Sequence, residues 1–228
     1  DRALSQAEIN QLYNIRGDRA YGSPHVPQRP VAAGDLVAWY PFEGQASDVT
    51  AFQQWAADDT DYSGTVNGAT HEENGGVTDI RHGSDSSAYD FNASNSENVE
   101  LFNHSLSSHS LSCWFNTDTL SYNNGGSNAL IFGYYDAGGA KYTIINMNGG
   151  NMNFRIDDGG DSYTKVAGSS INADQWYHAV LTYDSSTGDA TGYLDGSSIG
   201  SNSYTADITF DTGPYYVGGN PVNGTDFD

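Results

Sequence analysis

Residues 172–201 read NADQWYHAVLTYDSSTGDATGYLDGSSIGS, and the two apolar runs inside that stretch decide the secondary structure. The runs at 176–184 and 190–194 are rich in aromatic and β-branched residues, too short for packed helices, and separated by Ser, Thr, Gly and Asp. Both are predicted strands. Asp195-Gly196 then joins them to SSI, and this dipeptide is favoured in two-residue type I′ hairpins because both central residues need positive φ.

The same punctuation extends in both directions. Strands are predicted at 36–42, 64–70, 87–91, 97–102, 109–117, 128–134, 141–147, 151–156, 162–167 and 215–218, with a second hairpin signal at Gly149-Gly150. In HSLSCWFNT, 109–117, the residues Leu111, Cys113 and Phe115 alternate with Ser110, Ser112 and Asn116. Trp114 is the exception, an apolar ring on the polar side. About a dozen short strands joined by tight turns imply an all-β, antiparallel two-sheet jelly roll over residues 36–228.

Residues 1–14, DRALSQAEINQLYN, are the one helical stretch. Ser5 and Glu8 sit at the N-cap and N3 positions of a capping box, Leu4 and Ile9 at the staple positions, and Leu12 and Tyr13 continue the apolar face. A helix this short is marginal alone, so its apolar face must dock on something. Residues 15–35, with three Pro and three Gly, read as a linker or extended arm.

Charge bounds the partners. The chain has 228 residues, 29 Asp and Glu against 8 Lys and Arg, and a formal net charge of -21. Such a field repels nucleic acid and anionic membrane surfaces. The acid is mostly Asp, 23 against 6 Glu, and Lys141 and Lys165 are the two lysines, while aromatics still make up 13%. A disordered acidic chain lacks those aromatics; the combination implies a folded protein adapted to concentrated salt, where screening removes most self-repulsion. A single cysteine, Cys113, excludes an internal disulfide framework. No apolar run reaches the roughly 18 residues of a membrane span, and the N-terminus shows no apolar signal region, so either that region was removed or the chain is part of something longer.

Six pieces in order, LVAWYPFEG, GTVNGAT, SAYDFNASNSENVEL, HSLSCWFNTDTL, residues 172–201 and YYVGGNP, resemble the LamG-like jelly rolls of the concanavalin A-like lectin and glucanase superfamily. The resemblance spans 36–221. It implies a closing strand similar to IDDVRIY followed by a helix similar to NRALSxxEIxxLY, but here that helix stands at residues 1–14 and the chain stops at GTDFD. The helix therefore ends a preceding domain of an array, completes a neighbouring copy head to tail, or marks a circular permutation.

Enzymes of this superfamily carry an alternating ExDxE triplet, and none is present. Glu97 and Glu100 have the wrong spacing, their side chains falling on opposite sides of a strand. His178 matches a position that packs within a family strand, and Cys113 reads as an inert thiol. The chain is therefore read as non-enzymatic. The resemblance implies calcium in the acidic loop AADDTDYSG, with Asp58 and Asp61 as ligands; DDGGD at 157–161 has similar composition but reads first as a hairpin turn. Loop aromatics and their polar companions are the expected sugar contacts: Trp55, Tyr122, Asn123, Asn124, Tyr134, Tyr135, Asp136 and Tyr163. Asn92, Asn103 and Asn223 begin N-glycosylation sequons. The expected function is an extracellular or cell-surface module for adhesion or glycan recognition. A structural subunit of a filament, sheath or virion appendage, and an accessory domain of a glycoside hydrolase, are the alternatives.

Overall fold

The computed structural model describes residues 2–14, 64–72, 88–105, 107–120, 129–135, 141–159, 164–204, 210, 213–221 and 225–227. The predicted strand at 36–42 and the linker lie outside them. The described elements, in chain order, are helix α1 (Gln6–Asn14) and strands β1 (Thr65–Asn67), β2 (Thr70–Glu72), β3 (Ala88–Asp90), β4 (Asn98–His104), β5 (His109–Phe115), β6 (Ala129–Tyr135), β7 (Lys141–Asn148), β8 (Asn151–Asp158), β9 (Thr164–Ser170), β10 (Tyr177–Asp184), β11 (Asp189–Leu194), β12 (Ser197–Ser203), β13 (Gly213–Val217), β14 (Gly219–Asn220) and β15 (Thr225–Asp226).

They form an antiparallel sandwich. A seven-stranded sheet in the order β1-β4-β13-β6-β7-β8-β9 faces a four-stranded sheet in the order β12-β11-β10-β5, and β2-β3 and β14-β15 make two small ribbons. Alternation sends Val99, Leu101, Ile145, Phe154, Ile156 and Tyr215 inward from the first sheet and Leu111, Phe115, Ala179, Leu181 and Tyr183 inward from the second. His109 joins that core as a neutral ring. Its Nε2 pairs with Thr143 Oγ1 at 2.9 Å and its Nδ1 with the Ser107 carbonyl at 3.0 Å, and burial pushes its pKa down to about 4.

Both predicted hairpins form. Asp195 and Gly196 have φ of 48° and 78°, Gly149 and Gly150 φ of 56° and 79°, as type I′ turns require. The single strand predicted over 64–70 is divided at Gly68, whose φ is 85°. A Cβ there would lie 2.9 Å from Glu97 Cγ, so the chain turns out of the large sheet and starts the β2-β3 ribbon. Strand β12, SSIGSNS, carries almost no apolar pattern; the Asp195-Gly196 turn is what returns it along β11.

Helix α1 docks on the outer face of the four-stranded sheet of its own chain. Ile9 is fully buried against Val180 and Tyr193, with Leu4 beside it, as the staple predicts. Tyr13 stacks on Trp114 at 5.8 Å and 18°, and Trp114 stacks on His178 at 4.8 Å and 27°. Trp114 on the polar side of β5 is thereby explained: that side is covered by the helix. The capping box is complete, with Ser5 N–H donating to Glu8 Oε2 at 2.9 Å and Glu8 N–H to Ser5 Oγ at 3.4 Å, and Arg2 forms a bidentate ion pair with Glu8.

The Arg2 hydrogen bonds, followed by those from Ser5, hold the Glu8 carboxyl at about 2, below its usual 4.5. A depressed carboxyl pKa adds stability above the unfolded value and loses it as pH falls through the folded one. Glu8→Gln keeps an oxygen for the Ser5 amide but loses the charge paired with Arg2, and is therefore expected to cost up to about 1 kcal/mol at pH 7. The difference should close between pH 4.5 and 2; urea denaturation at pH 7 and pH 2 checks it, and an equal gap at both pH values would reject the pairing.

Candidate functional site

The outer face of the seven-stranded sheet carries a second aromatic cluster, in which Leu130, Tyr135, Ile144 and Tyr216 are buried and Tyr142 packs half-buried against them. Strand alternation places it there. On β6 and β7, Tyr134 and Ile145 point into the core while Tyr135, Tyr142 and Ile144 point away.

Register then aligns the polar groups. Tyr135 lies opposite Tyr142, and Tyr142 opposite Asp157, giving a row of three across β6, β7 and β8. The two tyrosine rings are 5.4 Å apart and tilted by 44°. The next row runs Glu100, Tyr216, Gly133, Ile144, Arg155 and Lys165 across β4, β13, β6, β7, β8 and β9. Arg155 and Asp157 are 4% and 8% exposed, whereas Lys165 is exposed at the sheet edge. Asn146 and Asn153, also buried, oppose each other one row further on.

Tyr204 completes this end of the sandwich. Burial, then the proximity of Tyr142 and Asp157, raises its pKa, and burial followed by Glu100 raises that of Tyr216. Both phenols stay neutral at physiological pH and keep a proton to donate. Asp157 and Asp158 end β8, Asp157 Oδ1 accepts the Gly159 amide at 2.8 Å, and residues 160–163, on which the hairpin reading of DDGGD falls, lie outside the described residues.

This set combines aromatic rings with carboxylate, guanidinium and amide groups, the chemistry that holds a sugar by its apolar face and its hydroxyls. It is not arranged for glycoside hydrolysis. Glu100 and Asp157 stand four strand spacings apart, about 19 Å, against the roughly 5–9.5 Å that a carboxylate pair requires. Glu97, the other half of the pair weighed from sequence, binds the Asn92 amide at 2.8 Å and the Asn95 side chain at 3.1 Å instead.

The sequence-derived sugar contacts are only partly brought together. Tyr135 lies in the row just described. Tyr134 is instead fully buried in the core against Tyr215 and Phe210, because consecutive strand residues face opposite ways. Trp55, Tyr122, Asn123, Asn124, Asp136 and Tyr163 lie outside the described residues. So do Asp58, Asp61 and Asn223, and among the described residues no group of three or more His, Cys, Asp or Glu could hold a metal ion. Asn92 is exposed and caps a 3-10 turn through Oδ1 to the Ser94 amide at 2.9 Å, and Asn103 is exposed on β4.

Tyr142, Arg155 and Tyr216 escaped sequence reasoning, since none sits in a Gly-rich loop, and Asp157 entered it only as the first residue of DDGGD. Pairing the alternation of KYTIINM with that of NMNFRID across the Gly149-Gly150 turn was the available signal. The His178 ring pairs through Nε2 with Ser112 Oγ at 2.9 Å beneath Trp114 and Tyr13, a packed position as expected. Cys113 faces the core, and burial pushes its thiol up to about 12. No described helix is long and apolar enough to cross a membrane.

The family model described as the concanavalin A-like lectin/glucanases superfamily, Laminin_G_3, matches residues 91–228. No curated protein sequence matches. Among solved structures, domain 4 of the extracellular arabinanase AbnA from Geobacillus stearothermophilus, in complex with arabinotriose, is similar at 17% identity and a TM-score of 0.51, covering 69% of this chain and 74% of that one. The carbohydrate-binding module CBM66 from Bacillus subtilis matches at 14% identity and a TM-score of 0.40 over 68% of this chain and 86% of that one. Domains LG4-5 of the mouse laminin alpha1 chain match at 20% identity and a TM-score of 0.41, over 53% of this chain and about a third, 32%, of that one.

Proposed function

Because the chain belongs to the concanavalin A-like lectin/glucanases superfamily, we propose that it is a non-catalytic carbohydrate-binding or adhesion module acting at the cell exterior in concentrated salt. Its sugar face is the end of the seven-stranded sheet around the half-buried Tyr142, backed by the buried Tyr135, Arg155 and Asp157. The observation that carries this reading is the row Tyr135, Tyr142 and Asp157, aromatic rings set by register beside a carboxylate, with a guanidinium in the next row. The similar fold of an arabinanase domain solved with arabinotriose supports sugar as the ligand class.

A glycan array in 2 M NaCl tests it. At least one neutral or acidic oligosaccharide should bind, and Tyr142→Ala should weaken that binding about tenfold, ~1.4 kcal/mol, as expected for an aromatic contact at the centre of an interface. Tyr89→Ala, on the separate β2-β3 ribbon, should leave it unchanged. An array without signal, or equal binding by Tyr142→Ala, would remove the assignment. Calcium held by Asp58 and Asp61 belongs to the same proposal as a structural ion, and a melting temperature indifferent to calcium and chelator would dismiss it.

The reading of the chain as a structural subunit assembling head to tail keeps one point of support, sheets that among the described residues end in edge strands a neighbour could extend. Service as the accessory domain of a glycoside hydrolase would show as a catalytic domain in the flanking coding sequence.

A further inference from the structure

We infer that the outer face of the four-stranded sheet is an exchangeable helix-docking site, and that its partner is α1 of a second copy of this chain, seated where each chain seats its own α1.

Recognition is carried by two short sets of residues. Ile9 fills the socket between Val180 and Tyr193, with Leu4 beside it. Tyr13 stacks on Trp114 and on His178, with ring centroids 5.8 and 6.0 Å apart. Polar contacts fix the position along the face. The Leu4 amide donates to Ser110 Oγ at 2.8 Å, Ser110 Oγ donates to the Arg2 carbonyl at 3.2 Å, and Gln6 Nε2 donates to the Gly196 carbonyl at 2.6 Å. Strand alternation gathers Ser110, Trp114, His178, Val180 and Tyr193 on this one face of β5, β10 and β11. On the helix side these contacts all come from residues 2–13, and the capping box and the Arg2–Glu8 pair that shape the helix are internal to that stretch.

Such a contact is the same whichever chain supplies the helix, and exchanging an identical terminal element between protomers needs no new surface. Two apolar anchors, a stacked ring and three hydrogen bonds also open far more readily than the sandwich core. Residues 15–35, the expected linker, are 21 in number and reach at most roughly 70 Å. A chain of this length has a radius of gyration of about 17 Å, so one copy's α1 can reach a neighbour's face.

Charge permits the approach. Chains of net charge -21 repel wherever carboxylates meet. The residues that meet α1, namely Ser110, Trp114, His178, Val180, Tyr193 and Gly196, carry none, and Glu8, the one acid of α1, is paired with Arg2. The docking face and the proposed sugar face lie on opposite sheets, so exchange needs no sugar and leaves the sugar faces of linked copies free to bind a repetitive glycan with avidity. It also gives the head-to-tail reading a specific contact.

Full chains carrying one cysteine each, in a Cys113→Ser background in 2 M NaCl, test the exchange. With Ala3→Cys in one chain and Ser110→Cys in another, no disulfide can close within a molecule, so a mixed disulfide reports docking in trans. Position 3 lies between the Arg2 carbonyl and the Leu4 amide that both meet Ser110, whereas Gln11 is exposed on the helix. Ala3→Cys should cross-link to Ser110→Cys at least about tenfold faster than Gln11→Cys does, since docking raises the local concentration at position 3 alone. Adding Ile9→Glu to the Ser110→Cys chain unseats that chain's own helix by placing a charge in the apolar socket, and should raise the yield further. Equal rates from positions 3 and 11, or no gain from Ile9→Glu, would overturn the exchange, and the comparison of positions decides it if Ile9→Glu fails to fold. Assembly through sheet edges would read differently, as self-association in sedimentation velocity that persists when every chain carries Ile9→Glu.

Discussion

Gly133→Ala is expected to be among the most destabilising single-methyl additions in this chain, at about 4 kcal/mol. Gly133 lies on β6 in the middle of the seven-stranded sheet, opposite Tyr216 on one side and Ile144 on the other, with φ of 153°. A Cβ there would come within 2.3 Å of the Thr143 carbonyl oxygen and 2.7 Å of Ile144 Cα. These are backbone atoms of an inner strand with both faces buried, so no rotamer change relieves the overlap. Overpacking of this kind costs about 1–3 kcal/mol, and a strained backbone conformation adds about 1–2 more. For a chain of this size that is roughly 8–16 °C in melting temperature.

Gly149→Ala provides the comparison. Its φ is also positive, at 56°, but a Cβ would meet nothing within 4 Å. It should lose about 1 kcal/mol from backbone strain alone. Calorimetry of the two variants separates space from conformation, and a Gly133→Ala protein no less stable than Gly149→Ala would show that the sheet yields at this point. Because Gly133 sits in the row between Tyr216 and Ile144, the same substitution should also reduce glycan binding among molecules that remain folded.

The legibility of the fold was uneven for a physical reason. Wherever one strand face was more buried than the other, as in β5 and β11, alternation marked the strand and Gly or Asp marked its end. Strand β12 escaped because an edge position asks for no apolar side chains, so only its turn betrayed it. Helix α1 announced both its start and its docking face, but what it would dock on depended on Trp114, which looked misplaced until Tyr13 was set over it. The candidate site was harder still. Tyr134 and Tyr135 are indistinguishable in composition, and their separation into core and outer face depends on which way β6 faces. Tyr142 and Asp157 gain their meaning from register, a relation between strands that the local sequence does not contain. Loop composition pointed to residues rich in Gly and Asn, whereas the described face is built from strand residues whose neighbours come from elsewhere in the chain.

The melting temperature is expected to rise by more than about 10 °C between 0.1 M and 2 M KCl, with most of the rise below about 0.5 M. At a net charge of -21 the folded state brings carboxylates closer than the unfolded chain does, and the repulsion acts over a Debye length of roughly 10 Å at 0.1 M but about 3 Å at 1 M. Screening is then nearly complete, so a rise continuing in a straight line to higher salt would indicate exclusion of salt from the surface instead. Asp90 localises the argument. Burial, then Glu72, Glu97 and Asp118, raises its carboxyl pKa above 3.8. A raised carboxyl pKa means that stability from this group is present below the unfolded value and is lost as pH climbs through the folded one. At pH 7 its charge therefore opposes folding, and Asp90→Asn should raise the melting temperature in 0.1 M KCl. That gain should shrink in 2 M KCl to the part caused by burial, since salt screens the three neighbouring carboxylates but does not alter desolvation. A melting temperature flat from 0.1 M to 2 M, together with an Asp90→Asn effect independent of salt, would mean that the acidic surface does not control stability and would withdraw the support for a high-salt setting.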